Sequence, residues 1–451
     1  MTAPKKPYAR RVVFDATFGD NSLNKNTPDD YPVAPYDYNF PQVDDFKALV
    51  LEAGKGCFIW KRDLSRYYLQ IPLDPLDYPY VCTVWRNQLF FFTSLMFGLR
   101  HSGLQGQRLT SAVTWIHRKM GFCSVNYSDD IGGCERERER ALQSFHALGS
   151  LLVDLGLVEA LDKAHPPSTN MAYLGVTFDT VSMTMSIPGD MLQELREDLS
   201  LWSRKKKASK RNLQQLLGKL FWVSRCVRYS RGFMARLLAH LRELNDTPDH
   251  RKQPLPDSCK DDIKWWCCYV RRFNGVELIY PEAPQTLSLD ELLETAALVY
   301  CGDAYPRGGG GFYSNEYWSR EFPSWLSDND IPIHVKEFWV LVASTVLWGE
   351  NWRGSLVYFF CDNAAVVEVL DKEKPRDPTM AAILREFLYL VCTRNFIPVF
   401  RHIGTEKNFV ADFLSRNHSQ PVLDSFIGQN QLELSIRRDV PDAFFKPLST
   451  W

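Results

Sequence analysis

At 451 residues, with 45% apolar, 24% charged and 13% aromatic side chains, the chain is too long for one core and has the composition of globular protein rather than disorder. Its formal net charge of −1 excludes a uniformly basic nucleic-acid binder, so an anionic partner would have to be met by a local patch. No run reaches the roughly 18 apolar residues of a membrane helix and residues 1–11 contain no apolar segment of signal-peptide type, so an intracellular protein with no membrane partner is expected.

The first forty residues are rich in Pro, Asp, Asn and Tyr, with one β-like run from Arg11 to Phe14. Asp44 to Glu52 has helical periodicity, and Cys57 to Leu64 reads as a strand with Asp63 at its end. Tyr80 to Trp85 and Leu89 to Thr93, around Arg86-Asn87-Gln88, read as a β-hairpin. A helix is expected over Leu104 to Met120. Short strands follow at Gly121 to Tyr127 and Ile131 to Cys134, and the Glu/Arg alternation from Glu135 opens a solvated helix reaching about Leu155. Ile187 to Phe273 reads as mostly helical, broken at Pro254 and Pro256. A further unit begins near Leu298 with a strand to Asp303, a glycine-rich turn (Gly308 to Gly311) and a strand pair, Phe312 to Phe322. A helix from about His334 to Trp348 and a strand from Leu356 to Cys361 come next. The polar tail from about Asn417 is expected to dock loosely. This mixed order is α+β rather than a solenoid or coiled coil. The eleven cysteines show no C-x-x-C pair and no zinc spacing, so reduced thiols are expected, with Cys267 and Cys268 in the core.

Charge is unevenly distributed. From Leu201 to His240 every charged residue is basic, including Arg204, Lys205, Lys206, Lys207, Lys210, Arg211 and Lys219. Such a stretch suits a phosphate backbone. Leu217, Phe221 and Ser224 are expected to share one helical face, with the cations on the other.

Tyr127-Ser128-Asp129-Asp130 places two carboxylates in a tight turn between apolar strands. Like charges that close repel and raise one pKa unless a cation lies between them. Taken alone, the turn is as well explained by local Asx hydrogen bonding. A third carboxylate at a strand end, Asp63, changes the reading. Three acidic oxygen donors suit a hard cation, and paired Mg²⁺ ions about 4 Å apart are the device of two-metal phosphoryl transfer. Asp63 through Pro72 resembles the first catalytic motif of reverse transcriptases, Phe97-Gly98-Leu99 their second block, and Tyr127 to Asp130 their Y-x-D-D box. Gly156-Leu157 through Lys163 to Tyr173-Leu174-Gly175 resembles the blocks closing the palm, and Arg10 to Asp15 with Ser22-Leu23-Asn24 the fingers strand. The resemblance implies that Asp63, Asp129 and Asp130 hold metal, Asp63 and Asp129 being the firmer ligands. It further implies that Tyr68 is a steric gate against ribonucleotides, that Arg11 meets the triphosphate, that Phe97 lies against the template–nucleotide pair and that Lys163 assists pyrophosphate. The basic segment takes the place of the thumb, with Lys205, Lys206, Lys207, Lys210 and Arg211 on nucleic acid.

Four more carboxylates follow in the order Asp303, Glu337, Asp362, Asp412, placed on a strand, a helix, a strand end and a helix. Singly each is ordinary; Asp362 could be only a helix cap. The order, with Gly404, Asn408 and Ala411-Asp412-Phe413-Leu414-Ser415-Arg416, resembles the RNase H family. That implies four ligands for two metals, and His402 falls near the family's mobile histidine, although a structural histidine is equally open. Paired metals would activate water without a Ser/His/Asp triad.

Together these resemblances imply an α+β right-hand polymerase (fingers, palm, helical thumb) followed by an α/β RNase H-like domain. The expected boundaries are 1–186 for fingers and palm, 187–275 for thumb and connection, 296–418 for the RNase H-like domain and 419–451 for the tail. The implied activity is RNA-directed DNA polymerase with RNase H, using two Mg²⁺ (or Mn²⁺) per site. Its partners would be RNA template, DNA primer, RNA–DNA hybrid and deoxynucleoside triphosphates. Within retroelements the motifs look closest to DIRS-like tyrosine-recombinase elements, then gypsy-like ones. There is no protease D-[ST]-G motif, integrase knuckle or recombinase segment, so a recombinase or integrase would be encoded elsewhere in the element. The abrupt fingers leave two origins open, a fragment of a larger reading frame or a degenerate copy. Two other functions also stay open: a domesticated nucleic-acid-binding protein without polymerase activity, and an RNase H nuclease only.

Overall fold

β1 (Phe58–Asp63) is buried at four of its six positions, which makes it a central strand rather than a half-solvated one. The computed structural model of the chain describes residues 15–20, 22–26, 40–227, 230–272, 276–278, 288–293, 297–372 and 378–445. The chain divides into two compact units, Met1–Met185 and Ser186–Trp451.

In the first unit, α1 (Val43–Ala53) precedes β1, and the hairpin β2 (Cys82–Trp85) and β3 (Gln88–Phe91) follows it. Then come α2 (Ser102–Lys119), β4 (Ser124–Tyr127), β5 (Asp130–Glu135), α3 (Arg138–Asp154) and β6 (His165–Ser168). The sheet order is β4-β5-β1-β6. The prolines of β6, Pro166 and Pro167, are tolerated because it is an edge strand. Trp60 and Ile131 from the sheet pack with Val113 of α2 and Ala141, Leu148 and Leu152 of α3. Phe46 of α1 meets Tyr173 at 4.5 Å between ring centroids. The paired glycines after the Asp-Asp turn explain how both faces close. A Cβ on Gly132 would lie 2.9 Å from the Tyr173 ring, and one on Gly133 would collide with Trp60. The hairpin loop is one residue shorter than the sequence suggested: Trp85 pairs with Gln88. Arg86 (φ +48°) and Asn87 (φ +62°) take the two left-handed positions of a two-residue turn.

The second unit begins with α4 (Gly189–Trp202), followed by β7 (Lys207–Ser209), α5 (Lys210–Val223), α6 (Ala235–Glu243), β8 (Lys252–Pro254) and α7 (Asp257–Arg272). Phe233 stacks on Trp265 of α7 at 3.6 Å, and the buried Asp262 carboxylate meets Arg385 at 2.9 Å.

Next come β9 (Leu298–Tyr305), β10 (Gly308–Tyr313), β11 (Glu316–Glu321), α8 (Ile333–Trp348), β12 (Leu356–Cys361), α9 (Ala364–Lys372), α10 (Pro378–Arg394), β13 (Ile397–His402), α11 (Phe409–Arg416), α12 (Gln420–Gln429) and β14 (Ile436–Arg437). The six-stranded order is β13-β12-β9-β10-β11-β14, with β9–β12 and β12–β13 parallel and β9–β10 antiparallel.

The fold departs from the sequence expectation at two points. Gly308 to Gly311 is a strand, not a turn: a Cβ on Gly310 would lie 2.6 Å from Leu414 Cβ, so the glycines let α11 press onto β10. The tail is also docked rather than loose as far as residue 445. Leu423 and Phe445 are fully buried, Phe426 stacks on Phe413 at 3.6 Å, and β14 pairs with β11. Among the described residues no helix is long and apolar enough to cross a membrane.

Two candidate carboxylate sites

In the first unit, Asp63, the last residue of β1, pairs in register with Asp130, the first residue of β5. Tyr127 pairs with Asp130, so Ser128 and Asp129 form a two-residue turn. Ser128 adopts φ +51° and its N–H donates to Gln107 Oε1 at 2.8 Å. Leu64 N–H donates to the Asp129 carbonyl at 3.1 Å, which ties the end of β1 to the turn. Asp63 and the Asp129-Asp130 pair, far apart in sequence, thus lie at one end of the sheet.

Asp63 is only 5% exposed. Burial, then the charges of Asp63 and Asp129, push the Asp130 carboxyl up to about 7, and the protonated form hydrogen-bonds to Asp63. A carboxyl raised by its neighbours marks a site short of positive charge, and its all-oxygen donor set fits a hard divalent cation.

Part of that shortage is met by Lys163, whose Nζ lies 2.7 Å from Asp63 Oδ1. Partial burial pulls this ammonium down, but the bond to Asp63 and the charges of Asp129 and Asp130 outweigh it, and its net shift is upward. The sequence singled out Lys163 for another role and gave no sign of this contact. Tyr68 and Phe97 meet edge to face, with centroids 5.0 Å apart. Burial, then Asp129, pushes the Tyr68 phenol up. Asn24 Nδ2 donates to Gly98 O at 2.7 Å, and Arg100 N–H donates to Asn24 Oδ1 at 2.8 Å. Two blocks singled out 74 residues apart therefore touch. Arg11 and the β-like run around it lie outside the described residues.

In the second unit, Asp303 lies in β9 opposite Gly310. Glu337 comes from α8, Asp362 directly follows β12, and Asp412 sits in α11. Burial raises Asp303 to about 6; the Ser415 hydrogen bond opposes this, while the charges of Asp362 and Asp412 add to it. Burial raises Glu337 to about 8; Asn363 opposes, and Asp303 and Asp362 add. Each of the four carboxylates thus feels, or is felt by, another member of the group.

Ser415 Oγ donates to Asp303 Oδ2 at 2.8 Å. Arg416 holds Asp412 Oδ1 at 2.7 Å and lies over the Tyr305 ring at 4.6 Å. Both belong to the quoted motif, but their roles were invisible until the helix and strands met. The thiol of Cys361, which the sequence reading assigned no part, lies 3.7 Å from Glu337 Oε2. His402 is exposed, and its Nε2 is 3.1 Å from the Asp362 carbonyl.

The basic segment is more neutralised than its composition suggests. Lys219 bridges Glu194, at 2.6 Å, and Asp198 of α4. Lys210 donates to Asn245 O at 3.0 Å, and Lys205 lies 4.1 Å from the centroid of the Trp202 ring. Lys206, Lys207 and Arg211 are exposed. On α5 the buried face is Leu213, Leu216, Leu217, Leu220 and Val223. Phe221 lies one turn from Leu217 and on the same side, but it is 41% exposed, because the buried stripe runs toward Leu216 and Leu220 and leaves Phe221 at its edge, about 100° round the helix from Leu220.

No family model and no curated protein matches the chain. Solved structures similar to it include the foamy viral protease-reverse transcriptase dRH in complex with double-stranded DNA, at 14% identity, covering 89% of this chain and 64% of that one, TM-score 0.48. The foamy viral protease-reverse transcriptase with RNA/DNA hybrid is 14% identical over 79% of this chain and 46% of that one, TM-score 0.43. The same protein with double-stranded DNA is 14% identical over 77% and 68%, TM-score 0.41. The chain therefore spans 64% and 46% of the length of the first two.

Proposed function

We propose that the chain is an RNA-directed DNA polymerase with an RNase H nuclease, of retroelement type. The observation that carries the reading is the register match of Asp63 with Asp130 beside the Asp129 turn. It gathers three acids at a strand end, where a triphosphate and a primer hydroxyl could meet paired cations. Asp63 and Asp129 would hold the metal and Asp130 would shape the site. Bound divalent metal supplies charge for the attacking and leaving oxygens. The protein's own groups do the rest: Tyr68, braced by Phe97, would exclude a ribose 2′-hydroxyl, and Lys163 would place a proton and positive charge beside the departing pyrophosphate. In the second unit Asp303, Glu337, Asp362 and Asp412 would cradle metal for hydrolysis of an RNA strand, with Ser415 and Arg416 orienting two of them. Lys206, Lys207 and Arg211 offer charge for a phosphate backbone, with Lys205 and Lys210 beside them.

Primer extension on poly(rA)/oligo(dT) with Mg²⁺ tests this. Extension by the wild type that is lost in Asp129→Asn supports it; no extension by a folded wild type removes the polymerase assignment. A nuclease-only reading draws on one observation. Among the described residues, the only three metal-ligating groups within 4.8 Å of one another are Glu337, Cys361 and Asp362, all in the second unit. Cleavage of a hybrid without extension would select it.

A further inference from the structure

Successive side chains of an extended strand point to opposite faces, so Cys361 and Asp362 should diverge. They do not, because β12 stops at Cys361 and the chain bends at Asp362, which brings both side chains toward Glu337 of α8. Cys361 Sγ lies 3.7 Å from Glu337 Oε2, and one donor atom from each of the three residues lies within 4.8 Å of the other two. The thiol is 8% exposed. Asn363 N–H donates to Sγ at 3.4 Å, which fixes where the sulfur points.

Sulfur changes which cation this corner prefers. Mg²⁺ demands oxygen ligands in an octahedron and gains little from a thiolate. Zn²⁺ and Cd²⁺ accept thiolate and carboxylate together. A zinc ion with bonds of about 2.3 Å to sulfur and about 2.0–2.2 Å to oxygen could bridge donors at this spacing with only the wider-set pairs drawn closer. One coordination position would remain open.

We propose that Cys361, with Glu337 and Asp362, forms a site for a thiophilic divalent cation, Zn²⁺ or Cd²⁺, that shuts Mg²⁺ out of the nuclease centre. This rests on the reading of Glu337 and Asp362 as a metal cradle. Binding exchanges one thiol proton, released to solvent, for one sulfur–metal bond; nothing is oxidised or reduced. A serine or threonine at residue 361 would offer oxygen and lose the selectivity.

The test uses the full chain and the metals alone. One equivalent of Cd²⁺ is added to wild type, Cys361→Ser and Glu337→Gln, and the ultraviolet thiolate-to-cadmium charge-transfer band is read. Glu337→Gln, which keeps the thiol but loses a carboxylate donor, is read by the band alone and should weaken it; hybrid cleavage in Mg²⁺ by wild type and Cys361→Ser is then titrated with Zn²⁺, each normalised to its own zinc-free rate. The wild type should show the band, and Cys361→Ser should lose it and need about tenfold or more zinc for half-inhibition. An undiminished band and an unchanged zinc dependence in Cys361→Ser overturn the proposal. If the variants do not fold, X-ray absorption of the wild-type protein with one equivalent of zinc decides: one sulfur among oxygen ligands supports the site, and no sulfur, or two or more, overturns it. A wild type that shows the Cys361-dependent band but cleaves no hybrid keeps the cation site and removes the nuclease reading instead.

Discussion

Lys163 Nζ and Asp63 Oδ1 stand 2.7 Å apart, joining a half-exposed ammonium to a carboxylate whose side chain is 6% exposed. Arg416 holds Asp412 at 2.7 Å in the other unit. Each acidic cluster therefore carries an in-chain cation on one of its carboxylates. If Asp63 is a metal ligand, the ammonium and the metal compete for the same oxygens. Lys163→Met should lower the melting temperature in EDTA, because it leaves a buried carboxylate without its partner. Mg²⁺ should restore more stability to the variant than to wild type, and its half-saturating concentration should fall about threefold or more. A thermal-shift titration checks this; a loss of stability that Mg²⁺ leaves untouched would mean that Lys163 and metal do not share Asp63.

The two clusters should fail independently. Asp63→Asn should lower primer extension on the order of a thousandfold, as expected when several kcal/mol of charge stabilisation is lost, with hybrid cleavage retained. Asp362→Asn should do the reverse. Loss of both activities in either variant, with circular dichroism unchanged, would refute two separate sites.

Acidity gives a further handle. Asp303 is raised to about 6, Asp130 to about 7 and Glu337 to about 8, in each case first by burial. A carboxyl raised in the folded state binds its proton more tightly there than in the unfolded chain. Its contribution to stability is present below the ordinary carboxylate range and is lost as pH rises from about 4 through the folded values. In EDTA, these groups should make the protein less stable from pH 6 to 8. Mg²⁺ binds the deprotonated forms, so its stabilising effect should grow over the same window. Glu337→Gln should flatten the upper part of the EDTA curve. Melting temperatures against pH, with and without Mg²⁺, decide; a slope in EDTA unaltered by Glu337→Gln would show that this carboxyl is not the one titrating.

What the sequence disclosed was order and residue type. Several acids announced themselves by their place in elements that apolar periodicity marks: Asp63 and Asp130 stand at strand ends and Asp362 just after one, while Asp412 lies within a short amphipathic helix. The turn of Ser128 and Asp129 was legible for the same reason. What stayed hidden depends on distance across the fold. Lys163 is 100 residues from Asp63, and Ser415 is 112 from Asp303; no local pattern connects them. Four successive glycines read as a turn because glycine favours turns, yet here the absence of side chains serves the approach of a helix to a strand. The tail read as loose because its polar residues outnumber the few, Leu423 and Phe445 among them, that anchor it.

Nucleotide selection offers a test of the Tyr68–Phe97 contact. The rings meet at 5.0 Å and 81°, a geometry that restrains the tyrosine as well as packing it. Tyr68→Ala should raise ribonucleotide incorporation relative to deoxynucleotide by about tenfold or more, the scale of a lost steric contact in a specificity pocket. Phe97→Ala should move the ratio the same way by a smaller factor, since the gate remains but is less firmly held. Single-nucleotide extension with matched ribo- and deoxynucleotides gives both ratios. An unchanged ratio in Tyr68→Ala removes the gate, and a larger effect for Phe97→Ala than for Tyr68→Ala would move the selecting contact to Phe97.

The close approach of α11 to β10 links packing to the second cluster. Gly310 pairs with Asp303 across the strands. A Cβ there would sit 2.6 Å from Leu414 Cβ and 2.7 Å from the Leu414 carbonyl carbon, and backbone cannot swing aside as a long side chain can. Gly310→Ala must therefore push α11 outward, carrying Asp412 and Ser415 away from Asp303. Overpacking of this kind costs roughly 1–3 kcal/mol, and a shift of about an ångström in a ligand set can lower a rate about a hundredfold. Hybrid cleavage should fall by that order, while primer extension holds. Gly428→Ala, whose added methyl meets nothing within 4 Å, serves as the control and should leave both activities intact. Equal cleavage rates in Gly310→Ala and Gly428→Ala would show that the helix-to-strand contact does not set the geometry of the acids.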